Sequence, residues 1–363
     1  MPYNRDALQR VIDTVVSPAA RETDTSGKFP TGAVAALGTA GLLGADIGLR
    51  DAAGVVRNLA GACGSTAMVT LMHYAATAVV GTYGPPAVRE AIADGRHLTT
   101  LAFSEAGSRS HFWAPLGTAT AVGAEVRLDA RKSWVTSASQ ADSYVWSSRP
   151  LAADGPMTLW LVPSTAPGLT TPEPFDGLGL RGNNSMPVIA DGVLVSPSAM
   201  LGSDGAGLDI ALAAALPWFL VLSAAFSVGL MEATLAETGA HLRSTRLEHL
   251  GQTLADQPVV RADHARMRLA LDQASALLED ALAALESGRD DATLRVLEVK
   301  AAAGEAAIHV TDLAMKVAGG AAFRKEVGTE RRFRDARAAR VMAPTTDALL
   351  DFIGRAINGL PLL

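Results

Sequence analysis

Tyr144-Val145-Trp146, the turn Asp154-Gly155, then Thr158-Leu159-Trp160-Leu161-Val162: the reading of this stretch decides how the chain divides. Both runs are short, β-prone and parted by a turn dipeptide, which is the pattern of strands. Working outward, turn signals recur at Ala166-Pro167-Gly168, Asp176-Gly177 and Asp191-Gly192, with Val193-Leu194-Val195 as a further run. Residues 99 to about 200 therefore read as an all-β region of short strands.

On either side the pattern becomes that of helices. Upstream, Leu8, Val11, Ile12, Val15 and Val16 share one helical face, and Asp51 to Thr82 carries a long Ala/Val-rich pattern ended by Gly84-Pro85-Pro86. A short helix, Ala87 to Ala93, stops at Asp94-Gly95. Downstream, one helix runs from about Leu208 to Leu242. A second starts near Pro258, a natural first-turn residue, and ends at Ser287-Gly288. Asp290 or Asp291 is placed to cap a third, which ends at Gly319-Gly320, and Thr345 or Thr346 to cap a fourth. Leu349, Leu350, Phe352, Ile353 and Ile357 are expected on the buried side of that last helix. The expected fold class is α+β: an N-terminal helical domain (1–98), a middle β domain (99–200) and a C-terminal four-helix bundle (201–363).

Composition narrows the function. The 363 residues are 49% hydrophobic and 19% charged, with net charge −6, so the chain is globular and lacks the basic footprint of a nucleic-acid binder. One cysteine, Cys63, permits no internal disulfide. The N-terminus has no signal-peptide h-region, and the apolar stretch Leu208 to Leu230, broken by Pro217, reads as a buried helix despite a length that permits a membrane span. The expectation is a cytoplasmic protein with neither membrane nor nucleic-acid partner. Gly177-Leu-Gly179-Leu-Arg-Gly182 fits a dinucleotide-binding spacing, but prolines precede it and no helix opens after it, so it reads as a loop. The seven histidines are scattered, against a metal site.

Four segments carry chemistry: Leu101-Ala-Phe-Ser-Glu-Ala-Gly-Ser-Arg-Ser110; Lys132-Ser-Trp-Val-Thr-Ser137; Gly179-Leu-Arg-Gly-Asn-Asn-Ser185 with Ala190-Asp-Gly-Val-Leu-Val195; and Gly319-Gly320 with Glu330-Arg-Arg-Phe-Arg-Asp-Ala336. In this order and spacing they resemble the acyl-CoA dehydrogenase family, over the chain from about Phe29 onward. The resemblance implies an N-terminal helical domain, a middle β-barrel and a C-terminal four-helix bundle. It also implies FAD, held by Phe103, Ser104, Ser110, Trp134 and Thr136 around the flavin and by Lys316, Gly319, Gly320 and Thr345 elsewhere. Neutral hydroxyls suit such contacts because they donate to a carbonyl or phosphate without adding charge. The alternative reading makes Trp134 a β-domain core residue, the hydroxyls turn or strand residues, and Lys316 a solvated helix residue.

The pattern departs from the family in three places. Counting from the intact Arg334-Asp335-Ala336, Ala343 stands where the catalytic glutamate usually lies, and the family's second location for that base falls at Phe219. Leu247 and Leu250 replace the Arg and Phe of the usual R-x-x-F-G run. His111 replaces an Asp, with Phe112-Trp113 beside it; it is a candidate base, since an imidazole titrates near pH ~6.5, or a loop-bonding residue. Glu232, Glu305 and Asp347 are further candidates for a relocated base. The resemblance therefore implies α,β-dehydrogenation of an acyl thioester with a non-standard base. The alternatives are a flavin monooxygenase or oxidase on the same fold, or a catalytically silent subunit of a hetero-oligomer. A homo-oligomer, tetramer or dimer, is expected.

Overall fold

The computed structural model describes residues 3–44, 46–108 and 111–362. They form two compact units, one of residues 1–52, 68–177 and 181–219, the other of residues 53–67, 178–180 and 220–363. Every element before Thr99 is helical: α1 (Arg5–Val11), a π turn, α2 (Ser17–Ser26), α3 (Thr31–Thr39), α4 (Leu49–Ala62), α5 (Gly64–Tyr83) and α6 (Pro86–Ala93). Asn4 caps α1 through the Ala7 amide at 2.9 Å. The long pattern expected over Asp51 to Thr82 is two helices, interrupted at Cys63.

The β region follows: β1 (Thr99–Ala102), β2 (Thr118–Val122), β3 (Glu125–Val135), β4 (Ser143–Ser148), β5 (Thr158–Pro163), β6 (Leu169–Thr170), β7 (Met186–Val195) and β8 (Met200–Leu201). They form two four-stranded sheets, ordered β1-β4-β5-β8 and β2-β3-β7-β6. The expected barrel does not close among the described residues, because no strand pairs from one sheet into the other. The sheets instead share one core, in which Tyr144, Trp146, Trp160 and Val162 meet Val126, Leu128, Val188 and Val193. Alternation along β3 puts Val126 and Leu128 inward while Arg127 and Arg131 stay in water, as a one-sided strand requires.

An apolar helical run over Gly207–Ser244 comprises α7 (Gly207–Ile210), a π turn and α8 (Leu216–Ser244). It is long and apolar enough to cross a membrane, yet 67% of its most apolar window is buried within the protein. After the short strands β9 (Arg246–Leu247) and β10 (Gln252–Thr253) come α9 (Pro258–Ser287), α10 (Ala292–Ala318), α11 (Thr329–Ala336), α12 (Ala338–Val341) and α13 (Thr346–Ile357). In the second unit Gly229 on α8 lies so close to α4 that a Cβ there would sit 2.0 Å from the Arg57 carbonyl. Only glycine permits that approach.

Several helix ends follow local chemistry. Pro258 opens α9 and Gly288, at φ 63°, closes it. Thr345 caps α13 by accepting the Ala348 amide. Asp291 precedes α10 but makes no capping bond; Arg289 and Arg295 take its carboxylate instead. The expected buried face of α13 is also narrower than its apolar residues suggest. Leu349 is fully buried and Phe352 and Ile353 are half-buried, whereas Leu350 and Ile357 are exposed. The last two lie seven apart on their own stripe, about 100° around the helix from Leu349.

Candidate functional site

In the first unit the segments around Ser104 and Trp134, with Ser185 beside Thr136, come together at the end of β3. The backbone of residues 104–106 runs beside it: Ser133 donates to the Ser104 carbonyl at 2.9 Å and Ala106 to the Arg131 carbonyl at 3.1 Å. Phe103 stacks on Phe112 with centroids 6.4 Å apart. Pairing with β7 is irregular between Lys132 and Val135, and Trp134 at φ 57° occupies the irregularity. A bulge of this kind re-aims side chains. Trp134 is accordingly 61% exposed, not a core residue, and its indole stacks on Phe175 at 4.1 Å. Thr136 is buried, with its hydroxyl 3.4 Å from that of Ser185. The buried Ser137 hydroxyl has no hydrogen-bond partner among the described residues. Ser110 lies outside them.

Beneath this surface is an ion pair for which the sequence reading had no role. Lys132 donates to Glu105 at 2.6 Å, to the Ser147 carbonyl at 2.6 Å and to the Ser147 hydroxyl at 2.9 Å. Both side chains are buried. The amides of Leu116, at 2.5 Å, and Gly117, at 3.1 Å, donate to the Glu105 carboxylate. Burial pulls the Lys132 ammonium down to about 8 against the opposing pull of Glu105. One-dimensional spacing does not pair Glu105 with Lys132, which lie 27 residues apart.

An open indole face, weakly engaged or unengaged buried hydroxyls, and a buried ion pair whose two charges are matched to each other suit a flat, neutral heteroaromatic ring with polar edges. A flavin ring fits that donor set. His111 is exposed on the loop after β1, with Nδ1 3.0 Å from the Ser108 carbonyl and its ring edge-on to Trp113 at 4.9 Å.

The second unit holds the other predicted residues. Lys316 is mostly exposed and salt-bridged to Asp263 at 2.8 Å, so its charge is already engaged. Lys316 and Arg266 together hold the Asp263 carboxyl below the usual range. Gly319, at φ 55°, ends α10, with Gly320 following. The Thr345 hydroxyl is occupied as the cap of α13.

Ala343 is half-buried between α12 and α13, and Lys300 of α10 grips that segment from below. The Lys300 ammonium donates to the carbonyls of Ala339 (3.1 Å), Met342 (3.1 Å) and Pro344 (2.8 Å), and burial lowers it to about 7. Of the substitute bases, Glu232 is held by Arg57, whose Nε donates at 2.9 Å. Glu305 is held by Arg340, whose Nε donates at 2.7 Å and keeps the carboxyl below its ordinary range. Asp347 is exposed at the rim of a cavity of about 720 Å³ lined also by Glu298, Arg340 and Leu350. Phe219, in the first unit, is buried.

The Arg-Arg-Phe-Arg-Asp run proves to be an anchor. Arg332 donates to Glu237 at 2.6 Å and to the Gly61 carbonyl at 2.9 Å, while Arg331 donates to the Ala62 carbonyl at 3.3 Å. These are the carbonyls that end α4, where cations are favoured. Asp335 accepts the Leu180 amide at 2.6 Å.

Comparison with known proteins agrees along nearly the whole chain. Residues 4–95, 100–193 and 205–358 match the N-terminal, middle and C-terminal domains of acyl-CoA dehydrogenase. Bovine (Bos taurus) mitochondrial short-chain specific acyl-CoA dehydrogenase is 28% identical over 94% of this chain and 86% of its own length. Butyryl-CoA dehydrogenase from Megasphaera elsdenii shares the fold with a TM-score of 0.90 at 21% identity, covering 99% of this chain and 100% of its own. The prolyl acyl carrier protein oxidase AnaB does so at 0.87 and 21% identity, covering 98% and 99%.

Proposed function

The chain belongs to the acyl-CoA dehydrogenase family, and on that premise we propose that it is an FAD-dependent oxidoreductase that dehydrogenates the acyl group of a thioester or a related substrate. The observation that carries this reading is the face at the end of β3, with its outward indole and under-used hydroxyls. A bound flavin supplies hydride acceptance there. Trp134 and Phe175 offer the flat apolar surface that orients a ring. Thr136 offers a neutral donor at its edge, with Phe103, Ser104 and Ser110 on the adjoining segment. Lys316, Gly319, Gly320 and Thr345 complete the proposed FAD set, though Lys316 and Thr345 enter it with their polar groups already engaged.

The proton-abstracting base is assigned to neither family position, since Ala343 and Phe219 carry no carboxylate. Glu305 is a poor substitute, because its arginine favours the ionised form and weakens the carboxylate as a base, and Glu232 is already engaged by Arg57. His111 and Asp347 remain as the proposed groups. The same pairings favour a second reading, a flavin oxidase or monooxygenase, whose oxygen chemistry needs no α-proton base. We further propose domain boundaries near residues 98 and 200, a homo-oligomer and a cytoplasmic location.

The test is a visible spectrum after reconstitution with FAD, then anaerobic titration with acyl-CoAs of graded length. Bleaching by the acyl-CoA without oxygen, with slow reoxidation in air, supports dehydrogenation. Bleaching followed by fast oxygen uptake and peroxide release supports an oxidase, and oxygen uptake that starts only when a reduced nicotinamide or reduced flavin is added supports a monooxygenase. A protein that stays colourless sinks both and leaves a silent subunit.

A further inference from the structure

We infer that Glu105 and Lys132 are positioning residues that set the bulge displaying Trp134 and Thr136, and so the seat of the flavin. This rests on the flavin reading above. In a regular strand, residues two apart share a face, so Lys132 and Trp134 would point the same way. Here Lys132 is fully buried and Trp134 is exposed, and the irregular pairing falls between Lys132 and Val135. The last anchored side chain before that irregularity is Lys132. Its three donors meet Glu105, the Ser147 carbonyl and the Ser147 hydroxyl, and its ammonium lies 4.9 Å from the centre of the Trp146 ring. Glu105 bridges directly opposite Lys132 and follows Ser104, so one ion pair welds the two segments expected to touch the ring. The amides of Leu116 and Gly117 fix the carboxylate from its other side. A fully satisfied buried network of this kind serves conformational specificity better than net stability.

The experiment uses the whole chain with Lys132→Met, Glu105→Gln, the two combined, and Ser147→Ala. Melting temperature and iodide quenching of tryptophan emission are read on the apoprotein, and the FAD dissociation constant after reconstitution. Quenching is taken as the difference from a Trp134→Phe background, because the chain has 5 tryptophans. Each single variant leaves a lone buried charge or an unmatched partner and should melt lower. The double variant, with no charge to bury, should regain most of the melting temperature. A positioning role predicts that the double variant nonetheless binds FAD about tenfold or more weakly and shows altered Trp134 quenching. Ser147→Ala keeps both charges paired and should shift both readouts in the same direction by less, which serves if the single variants do not fold. A double variant with wild-type FAD affinity and wild-type quenching would overturn the inference, leaving the pair a structural contact only. If wild type binds no FAD, the flavin reading falls, while the quenching of Trp134 still decides whether the pair sets the bulge.

Discussion

Replacing Lys300 with methionine should remove a pH dependence of folding that the wild type carries. Lys300 is 1% exposed, its ammonium lies under three carbonyls of residues 339–344, and burial brings it to about 7, well below the ordinary lysine value. The folded protein therefore releases this proton near neutrality, while the unfolded chain holds it to about pH 10. Between those limits the unfolded state binds more protons, so stability rises with pH, and the cost of the buried charge is fully present below the window. From pH 6 to pH 9 this one group should add about 2–3 kcal/mol of stability, two pH units at roughly 1.4 kcal/mol each. At pH 6, Lys300→Met should be close to neutral, since relief of a buried charge offsets the lost charge-assisted hydrogen bonds. At pH 9 the variant should be the less stable protein by about that 2–3 kcal/mol. Urea denaturation of both apoproteins at pH 6, 7.5 and 9 measures it, and the difference between them cancels Lys132, which is also shifted downward. Parallel pH profiles would refute the reasoning, because Lys300 would then not titrate in the window.

Ala343→Glu combined with Pro344→Gly restores the family's carboxylate and removes the proline that fixes φ beside it. Anaerobic flavin reduction by an acyl-CoA should accelerate, with general-base help supplying up to about 10²–10⁴-fold, and no gain would place the proton acceptor elsewhere. Trp134→Ala with Thr136→Ala should leave a folded protein that loses its yellow colour on gel filtration; full retention of FAD would show that the cofactor lies on another surface. Gly229→Ala forces a methyl to within 2.0 Å of the Arg57 carbonyl and should lower stability by about 3 kcal/mol or more, read as a fall in the urea midpoint. Sedimentation at micromolar concentration should find a dimer or tetramer, and a stable monomer would count against the proposed assembly.

Much of the architecture is written in local chemistry, which is why the sequence discloses it. Pro258 and Gly288 bound α9 because their backbone preferences act within one turn. The strands around Trp146 and Trp160 announce themselves by residue type and flanking turns. What stays hidden depends on partners distant in sequence. Asp291 looks like a cap until Arg289 and Arg295 compete for it. Trp134 is expected at the flavin or, alternatively, in the core, and the bulge that turns it outward is not visible in its spacing. The last helix carries more apolar residues than its neighbours cover, so composition alone overstates its buried face. Within the candidate site, spacing located the segments, but the Glu105–Lys132 contact and the occupation of Lys316 and Glu305 depend on three-dimensional neighbours.

The arginines that close α4 also set a schedule for biosynthesis. Arg331 and Arg332 reach carbonyls 269 and 271 residues earlier in the chain. At ribosomal rates of about 5–20 residues per second, the end of α4 waits roughly 13–54 s for its capping cations to be made. Throughout that interval the Gly61 and Ala62 carbonyls rely on water or on transient holders. The second unit, which draws on residues 53–67, 178–180 and 220–363, therefore completes itself only after its last segment has been made. A nascent chain stalled before Thr329 should remain open to proteases along α4 however well the β region has already folded.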